Sequence, residues 1–585
     1  MLKLFRLALP LGVFAMLAVS ASAFASHSTF PKTPNITTLG ESARAGSFLT
    51  PPGTLSNPNS DIAFWRNYAI EGSYTGFRII DVSNPMSPTQ VSEVTCGRDQ
   101  GDITISPDGT VLVRSQDTAR VIPGNNQANA CDVGTTAPAT TPGGTTQVGW
   151  EGLQIFDVSN KAAPRFLTGL FTDFGSHTHT QYYDRANNRL IIYVSRAGTR
   201  EGLQGATGAY QPSPPAPPSP YGGQNWPADR GCITAVEVPL ANPAGARVAN
   251  RCIAAGLQGC HDVAVHEPLR RLYGACRPFM ILWDISDPVN PRQLHAVTHP
   301  AVLERQGPLG GWHSASFSQN GEILLAGFEP GGGSDPECEA ADPPTEKSIY
   351  LWRASDGALL GTWTLPRPQG PTENCTIHNY NVVPHPNRHI VVQGSYQSGW
   401  SFVDFTSPSA ARELGWVDPA PLVPTQLGGD WSTHWYNGLV YQSDITRGVA
   451  IYDVTEPWWD DAISLRFLNP QTQTELLRCS VRAVAHGLRA NRSSHVMVNV
   501  RVNGQRLAGI RVRLRGGGLD RTRRTNESGI VESTIRPIRA GTLRIQVPDH
   551  LNMEGCATTR RIAAAPRRGG GLGAGIGGAL TGRPR

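Results

Sequence analysis

Five segments of this chain begin with histidine and run on in strand-like alternation. They are His177 (with His179) in SHTHTQYY, His261 in CHDVAVH, His313 in WHSASFS, His378 in IHNYNVV and His434 in THWYNGL. In two earlier segments aspartate has the same place: Asp61 in DIAFW and Asp102 in DITIS. The chain has only fifteen histidines, so this placement is not random scatter. Imidazoles and carboxylates brought to one point can hold a transition metal, and copper and zinc suit imidazole. An ion with an open coordination position would also act as a Lewis acid. His177 and His179 are two apart, so on a strand both side chains face the same way. The expected metal ligands are therefore His177, His179, His261, His313, His378 and His434, with Asp61 and Asp102 as carboxylates facing the same axis. A scaffold role competes with this: a histidine at a strand start can bond the backbone of its neighbour, and a scaffold residue would be repeated with its repeat. No zincin-like spacing is present, so the sequence assigns no catalytic residue, and copper or zinc is the only cofactor class it suggests.

The elements that would position these residues repeat as a phrase. It reads GFRIIDVSNP to Pro85, GLQIFDVSN to Asn160, FMILWDISDP to Pro288, GWSFVDFTSP to Pro408 and GVAIYDVTEP to Pro457. Two degenerate copies end at Pro243 and Gly357. Each copy is an apolar strand closed by a turn of Asp, Ser, Asn and Pro. The recurring aspartates Asp81, Asp157, Asp284, Asp404 and Asp453 read as turn hydrogen-bonders. A repeat of about 45 residues or more with several strands per copy is the signature of a propeller blade. The phrase resembles the LVIVD repeat, a family of mostly bacterial secreted propellers. The expectation is an all-β chain: a seven-bladed β-propeller followed by a small β-sandwich. In a propeller the first strand of each blade lines the axis, which would turn the histidines and aspartates into a ring.

The chain starts MLKLFRLALPLGVFAMLAVSASAFA, with Lys3 and Arg6 before an apolar stretch. That reads as a signal peptide over residues 1–25 with cleavage after Ala25. No later run is long and apolar enough to span a bilayer. The expected location is secreted, cell-surface or periplasmic, where ten cysteines predict five disulfides. Blade topology suggests Cys96 with Cys131, Cys338 with Cys375, Cys260 with Cys276 and Cys232 with Cys252. Cys479 and Cys556 bracket the last domain. A swapped pairing among Cys232, Cys252, Cys260 and Cys276 stays open.

The propeller is expected over residues 26–458, with Asn35–Gly40 supplying the missing outer strand of the last blade. Three insertions, Ser115–Val148, Arg196–Gly231 and Glu329–Lys347, fall between second and third strands, on the face where first strands begin. A linker is expected over 459–475, an immunoglobulin-like β-sandwich over 476–562, and a Gly/Arg-rich disordered tail over 563–585. From Arg478 onward there are twenty-one arginines, no lysine and five acids, a net of +16. The whole chain is +5, leaving −11 for the rest. The reading that follows favours a binding protein over an enzyme. An extracellular ligand or partner would meet the decorated face of the propeller, and the basic sandwich would attach to an anionic envelope polymer. No nucleic-acid motif is present. The alternatives are a metal-dependent extracellular or periplasmic enzyme centred on the histidine ring, and a rigid spacer.

Overall fold

The computed structural model describes residues 26–43, 57–96, 100–120, 131, 150–172, 175–195, 233–250, 259–305, 311–385, 387–422, 427–548 and 553–565. The expected signal peptide, the tail beyond 565, most of the first insertion, all of the second, and Cys232 and Cys252 lie outside them. The chain forms two compact units, residues 1–474 and 475–585.

The first unit is a succession of four-stranded antiparallel sheets, of which the last two join into one eight-stranded sheet through a parallel pairing of Asn379–Tyr380 with Ser432–Thr433. Their inner strands are, in chain order, Asn59–Trp65, Ile103–Ile105, Thr178–Asp184, Cys260–His266, Gly311–Phe317, Asn379–Val382 and Asp430–Tyr436. The last sheet has three strands of its own, and strand Ile36–Ala43 pairs antiparallel with Gly448–Val454 as its fourth. The N-terminal segment thus covers a sheet edge that would otherwise be exposed. Adjacent sheets share apolar cores: Ala264, Tyr273 and Met280 pack with Trp312, Phe317 and Tyr350, for example. The last sheet packs on the first through Phe64 stacked on Tyr436, centroids 4.6 Å apart. Asn59 Nδ2 also donates to the Asp444 carbonyl at 2.9 Å.

The repeated phrase has a physical reason at both ends. Its glycine is needed because the fourth strand crosses closely: a Cβ on Gly76 would lie 1.8 Å from the Val94 carbonyl oxygen, and one on Gly152 2.2 Å from that of Leu170. Its aspartate closes the turn: Asp81, Asp157, Asp284 and Asp404 each accept the main-chain N–H two residues on, at 2.8–2.9 Å.

One expectation needs correction. Residues 459–475, read as a linker, are largely packed into the first unit. Phe467–Leu468 pairs with Trp65 and Phe64, and Thr472–Gln473 runs parallel to Val265–His266. Asn469 exchanges two hydrogen bonds with the Ile105 backbone, at 2.7 and 2.9 Å. The segment is buried because it supplies backbone and amide partners to inner strands, a role its polar composition (NPQTQT) disguised.

The second unit holds two four-stranded sheets that share one apolar core of Val496, Val498, Val500, Val512, Leu514, Leu543, Ile545 and their neighbours. Cys479–Cys556 links its first and last long strands. In the first unit Cys96–Cys131, Cys260–Cys276 and Cys338–Cys375 are bonded. The Cys260–Cys276 bond excludes the swapped alternative. No described helix is long and apolar enough to cross a membrane.

Candidate metal centre

Four of the expected histidines meet where the inner strands begin. His177 Nε2 lies 3.0 Å from His261 Nε2. The His261 and His313 rings are 3.7 Å apart between centroids, and those of His313 and His378 4.5 Å. One ligand atom each from His261, His313 and Glu329 falls within 4.8 Å of the others. All are buried but for His177, which at 15 % exposure is where the cluster touches solvent.

Each Nδ1 faces an oxygen. His177 Nδ1 faces Asp117 Oδ2 at 2.8 Å and His261 Nδ1 faces Asp262 Oδ1 at 3.0 Å. His378 Nδ1 donates to the Trp431 carbonyl. The Ser314 hydroxyl spends its one hydrogen on the His378 carbonyl, so it accepts from His313 Nδ1 at 2.6 Å. His313 and His378 thus leave Nε2 as the acceptor nitrogen. His177 Nε2 and His261 Nε2 are 3.0 Å apart, and His313 Nε2 faces Glu329 Oε2 at 3.6 Å. The Gln100 amide nitrogen lies 3.2 Å from His177 Nε2. Glu329 is held by its other oxygen, which accepts the Tyr396 hydroxyl at 2.8 Å.

Electrostatics sharpens the point. Burial, then the neighbouring imidazoles, push His261 and His313 well below the ordinary histidine range, and burial takes His378 down to about 4. Burial pushes the carboxyls of Glu329 and Asp262 up, with Asp61 and Glu329 adding to the shift at Asp262. These imidazoles resist protons and the buried carboxyls resist ionising, although the Arg277 charge works the other way at Glu329; a cation at the cluster would favour the ionised carboxyls. Imidazole nitrogens and one carboxylate, with the other ring nitrogens anchored outward, are donors of the kind that transition metals take.

The remaining expected residues sit elsewhere. His179 is satisfied on both nitrogens, 2.7 Å from Ser115 Oγ and 3.0 Å from Thr104 Oγ1, and burial lowers it to about 3. His434 Nε2 pairs with Asp61 Oδ1 at 3.0 Å, and Asn379 Nδ2 donates to Asp61 Oδ2 at 3.2 Å. Asp102 is buried, its carboxyl pushed well up by desolvation and then by Asp61 and Asp262. None of these four shares the contacts of the cluster: His434 and Asp61 are paired with each other, His179 is bonded on both nitrogens, and neither carboxylate oxygen of Asp102 has a hydrogen-bond partner among the described residues. Glu329, Tyr396, Asp117 and Asp262 were missed. Glu329 ends the apolar run ILLAGFE, and a charge closing such a run was the available signal. Tyr396 follows strand Ile390–Gly394 and Asp117 lies toward the end of Val111–Arg120, where no repeat pattern marks them.

Two stretches of the chain, residues 59–96 and 147–171, match the LVIVD repeat. With the succession of sheets, that defines a repeat β-propeller. Among solved structures, the chain is similar to the periplasmic gluconolactonase PpgL of Pseudomonas aeruginosa at 10 % identity and a TM-score of 0.40, covering 71 % of this chain and 96 % of that one. It is similar to a functionally unknown protein of Desulfotomaculum acetoxidans at 9 % identity and 0.37, covering 68 % and 90 %. A Lactobacillus plantarum protein matches at 10 % and 0.38, covering 71 % and all of that chain. No curated protein matches.

Proposed function

We propose that this chain is an exported bacterial metalloprotein, with a signal peptide cleaved after Ala25, a seven-bladed LVIVD-type propeller and an immunoglobulin-like β-sandwich. Its working centre is a divalent transition metal, zinc or copper, held by His177, His261, His313 and Glu329. The observation that carries this reading is the meeting of Nε2 atoms with a carboxylate, each ring's Nδ1 being turned outward to an acceptor. The succession of repeat sheets and the packing of the last on the first support the ring, and four described disulfides support export.

When bound, the ion would polarise a ligand entering its open position. Glu329 is the anionic donor and Tyr396 fixes its orientation. Asp117 and Asp262 hold the His177 and His261 rings at Nδ1. Arg277 is buried beside them, its charge felt by Glu329, His261 and His313, and would orient an anionic group on the ligand. The reading as a surface-interaction module keeps one specific support: Cys338–Cys375 fastens the third insertion near the same end of the inner strands, with Gly333 against the Tyr396 ring.

The test is elemental analysis of the oxidised, secreted protein beside H261A/H313A and E329Q. One transition-metal ion per chain, lost in the double variant and depleted in E329Q, is expected. No metal in the wild type, including after exposure to zinc and copper, would return the histidines to a scaffold role.

A further inference from the structure

The second unit carries a concentration of charge that the axial site does not use. Strands Arg511–Gly516, Leu519–Arg524, Gly541–Val547 and Cys556–Ile562 make one of its sheets. Val512 and Leu514 point into the core, so Arg511, Arg513 and Arg515 stand on the outward face. Register fixes the rest of that face, because cross-strand partners share a side. Arg524 lies opposite Arg511 and Arg544 opposite Arg515. Arg561 lies opposite Thr542, which is two residues from Arg544. All six arginines are exposed. The only acid in the four strands is Asp520, which pairs with Arg513 at 2.6 and 2.8 Å. Six guanidinium groups therefore share one exposed face on which Asp520, paired with Arg513 and opposite Arg515 in register, is the only carboxylate of the sheet.

The sequence narrows the partner. From Glu475 to Arg585 there is no Phe, Tyr or Trp. The face offers no ring on which a base could stack, the usual platform for single-stranded nucleic acid. It also lacks the aromatic and large apolar side chains that anchor a protein in a lipid interface. What it does offer is guanidinium forks about 6.8 Å apart along a strand and about 4.8 Å between strands. Such forks pair bidentately with carboxylate, phosphate or sulfate.

We propose that this sheet face binds an anionic polysaccharide, a polymer with an acidic group on successive sugars, by spreading several exposed ion pairs across the four strands. The proposal is independent of the metal centre. Each contact is weak and solvent-screened, so affinity arises from their number and must fall with salt.

The experiment uses the full-length secreted protein on immobilised polygalacturonate and dextran sulfate, with duplex DNA and phosphatidylglycerol vesicles as competing probes. The variant R515Q/R544Q/R561Q removes three charges from the face. The variant R482Q/R489Q/R501Q removes three exposed charges elsewhere in the same unit and serves as the control. The expected result is polysaccharide binding that drops about tenfold or more between low and physiological salt. The face variant should be weakened by about tenfold and the control by less than about threefold. Equal losses in both variants would overturn the proposal, since net charge rather than the face would be responsible. Stronger retention on duplex DNA or vesicles, or no binding to either polysaccharide, would also overturn it. Unchanged thermal unfolding in both variants shows that the loss is not a folding defect.

Discussion

The inner strands of the first unit carry histidine in two layers, and the layers differ in what the second ring nitrogen meets. In the layer at the strand starts, His177, His261, His313 and His378 fasten Nδ1 to an acceptor and turn Nε2 toward one another. In the other, His179 is closed off by Ser115 and Thr104, and His434 is spent on Asp61. His177 and His179 share one strand and one side of it, yet only the first looks into shared space. Residue type and repeat position are the same; partner supply decides between ligand and scaffold. A buried imidazole with both nitrogens bonded has no place for a further partner, whereas one with a nitrogen left over can accept a proton or a cation.

The largest expected effect breaks the two layers apart. H261A/H313A should abolish metal binding, more than about a hundredfold in affinity, since even outer-shell losses cost 10–100-fold. Its apo form should unfold close to the temperature of the metal-free wild type. H434A should do the reverse: about 3–5 kcal/mol of stability lost in denaturant titration, because Asp61 is left in the interior without its ion-pair partner, and metal stoichiometry retained in the folded fraction. A variant H434A that stays stable and loses the metal would erase the distinction. D262N is a smaller perturbation between them. It keeps the side chain's shape and weakens the hold on His261 Nδ1, so metal affinity measured by competition with a chelator should fall by about 10–100-fold.

Much of this was legible in the sequence, for reasons that also mark the limit. The repeat phrase exposes the sheets because its glycine and aspartate each answer a local demand, a close carbonyl at Gly76 and an Asx turn at Asp81. Periodicity likewise brought the strand-start histidines forward. The depth of each along the axis was hidden, so His179 and His434 were grouped with the others. Glu329 and Tyr396 were hidden because they come from strand ends and turns outside the repeating first-strand position. Asn469 and Gln471 were invisible for a third reason. They reach Ile105 and Asp262 from far along the chain, Gln471 Nε2 donating to Asp262 Oδ2 at 3.1 Å, and no spacing rule encodes such a return.

His27 extends the comparison to a histidine of opposite sign, with the smallest expected effect. It stands between Glu41, 2.8 Å from Nδ1, and Asp444, 3.5 Å from Nε2, and so ties the N-terminal segment to the last sheet. Burial works against its charge, but hydrogen bonds to Asp444 and Glu41 outweigh it and raise His27 above 6.5. The His27 hydrogen bond takes Glu41 from 4.5 down to about 2. Asp444 is held low as well, the Arg447 charge and His27 overcoming burial. The raised histidine contributes stability in full below pH 6.5 and loses it as pH rises through its folded value. The depressed Glu41 contributes above pH 4.5 and loses it as pH falls toward 2. Attachment of strand Ile36–Ala43 should therefore be tightest between about pH 4.5 and 6.5. Amide hydrogen exchange of that strand, corrected for intrinsic rates, should show slowest opening in this window. In H27Q the rise in opening above pH 6.5 should vanish while the core strands stay unchanged. An upper limb that persists in H27Q would assign the pH dependence to another group and leave Glu41 as an ordinary half-exposed carboxylate.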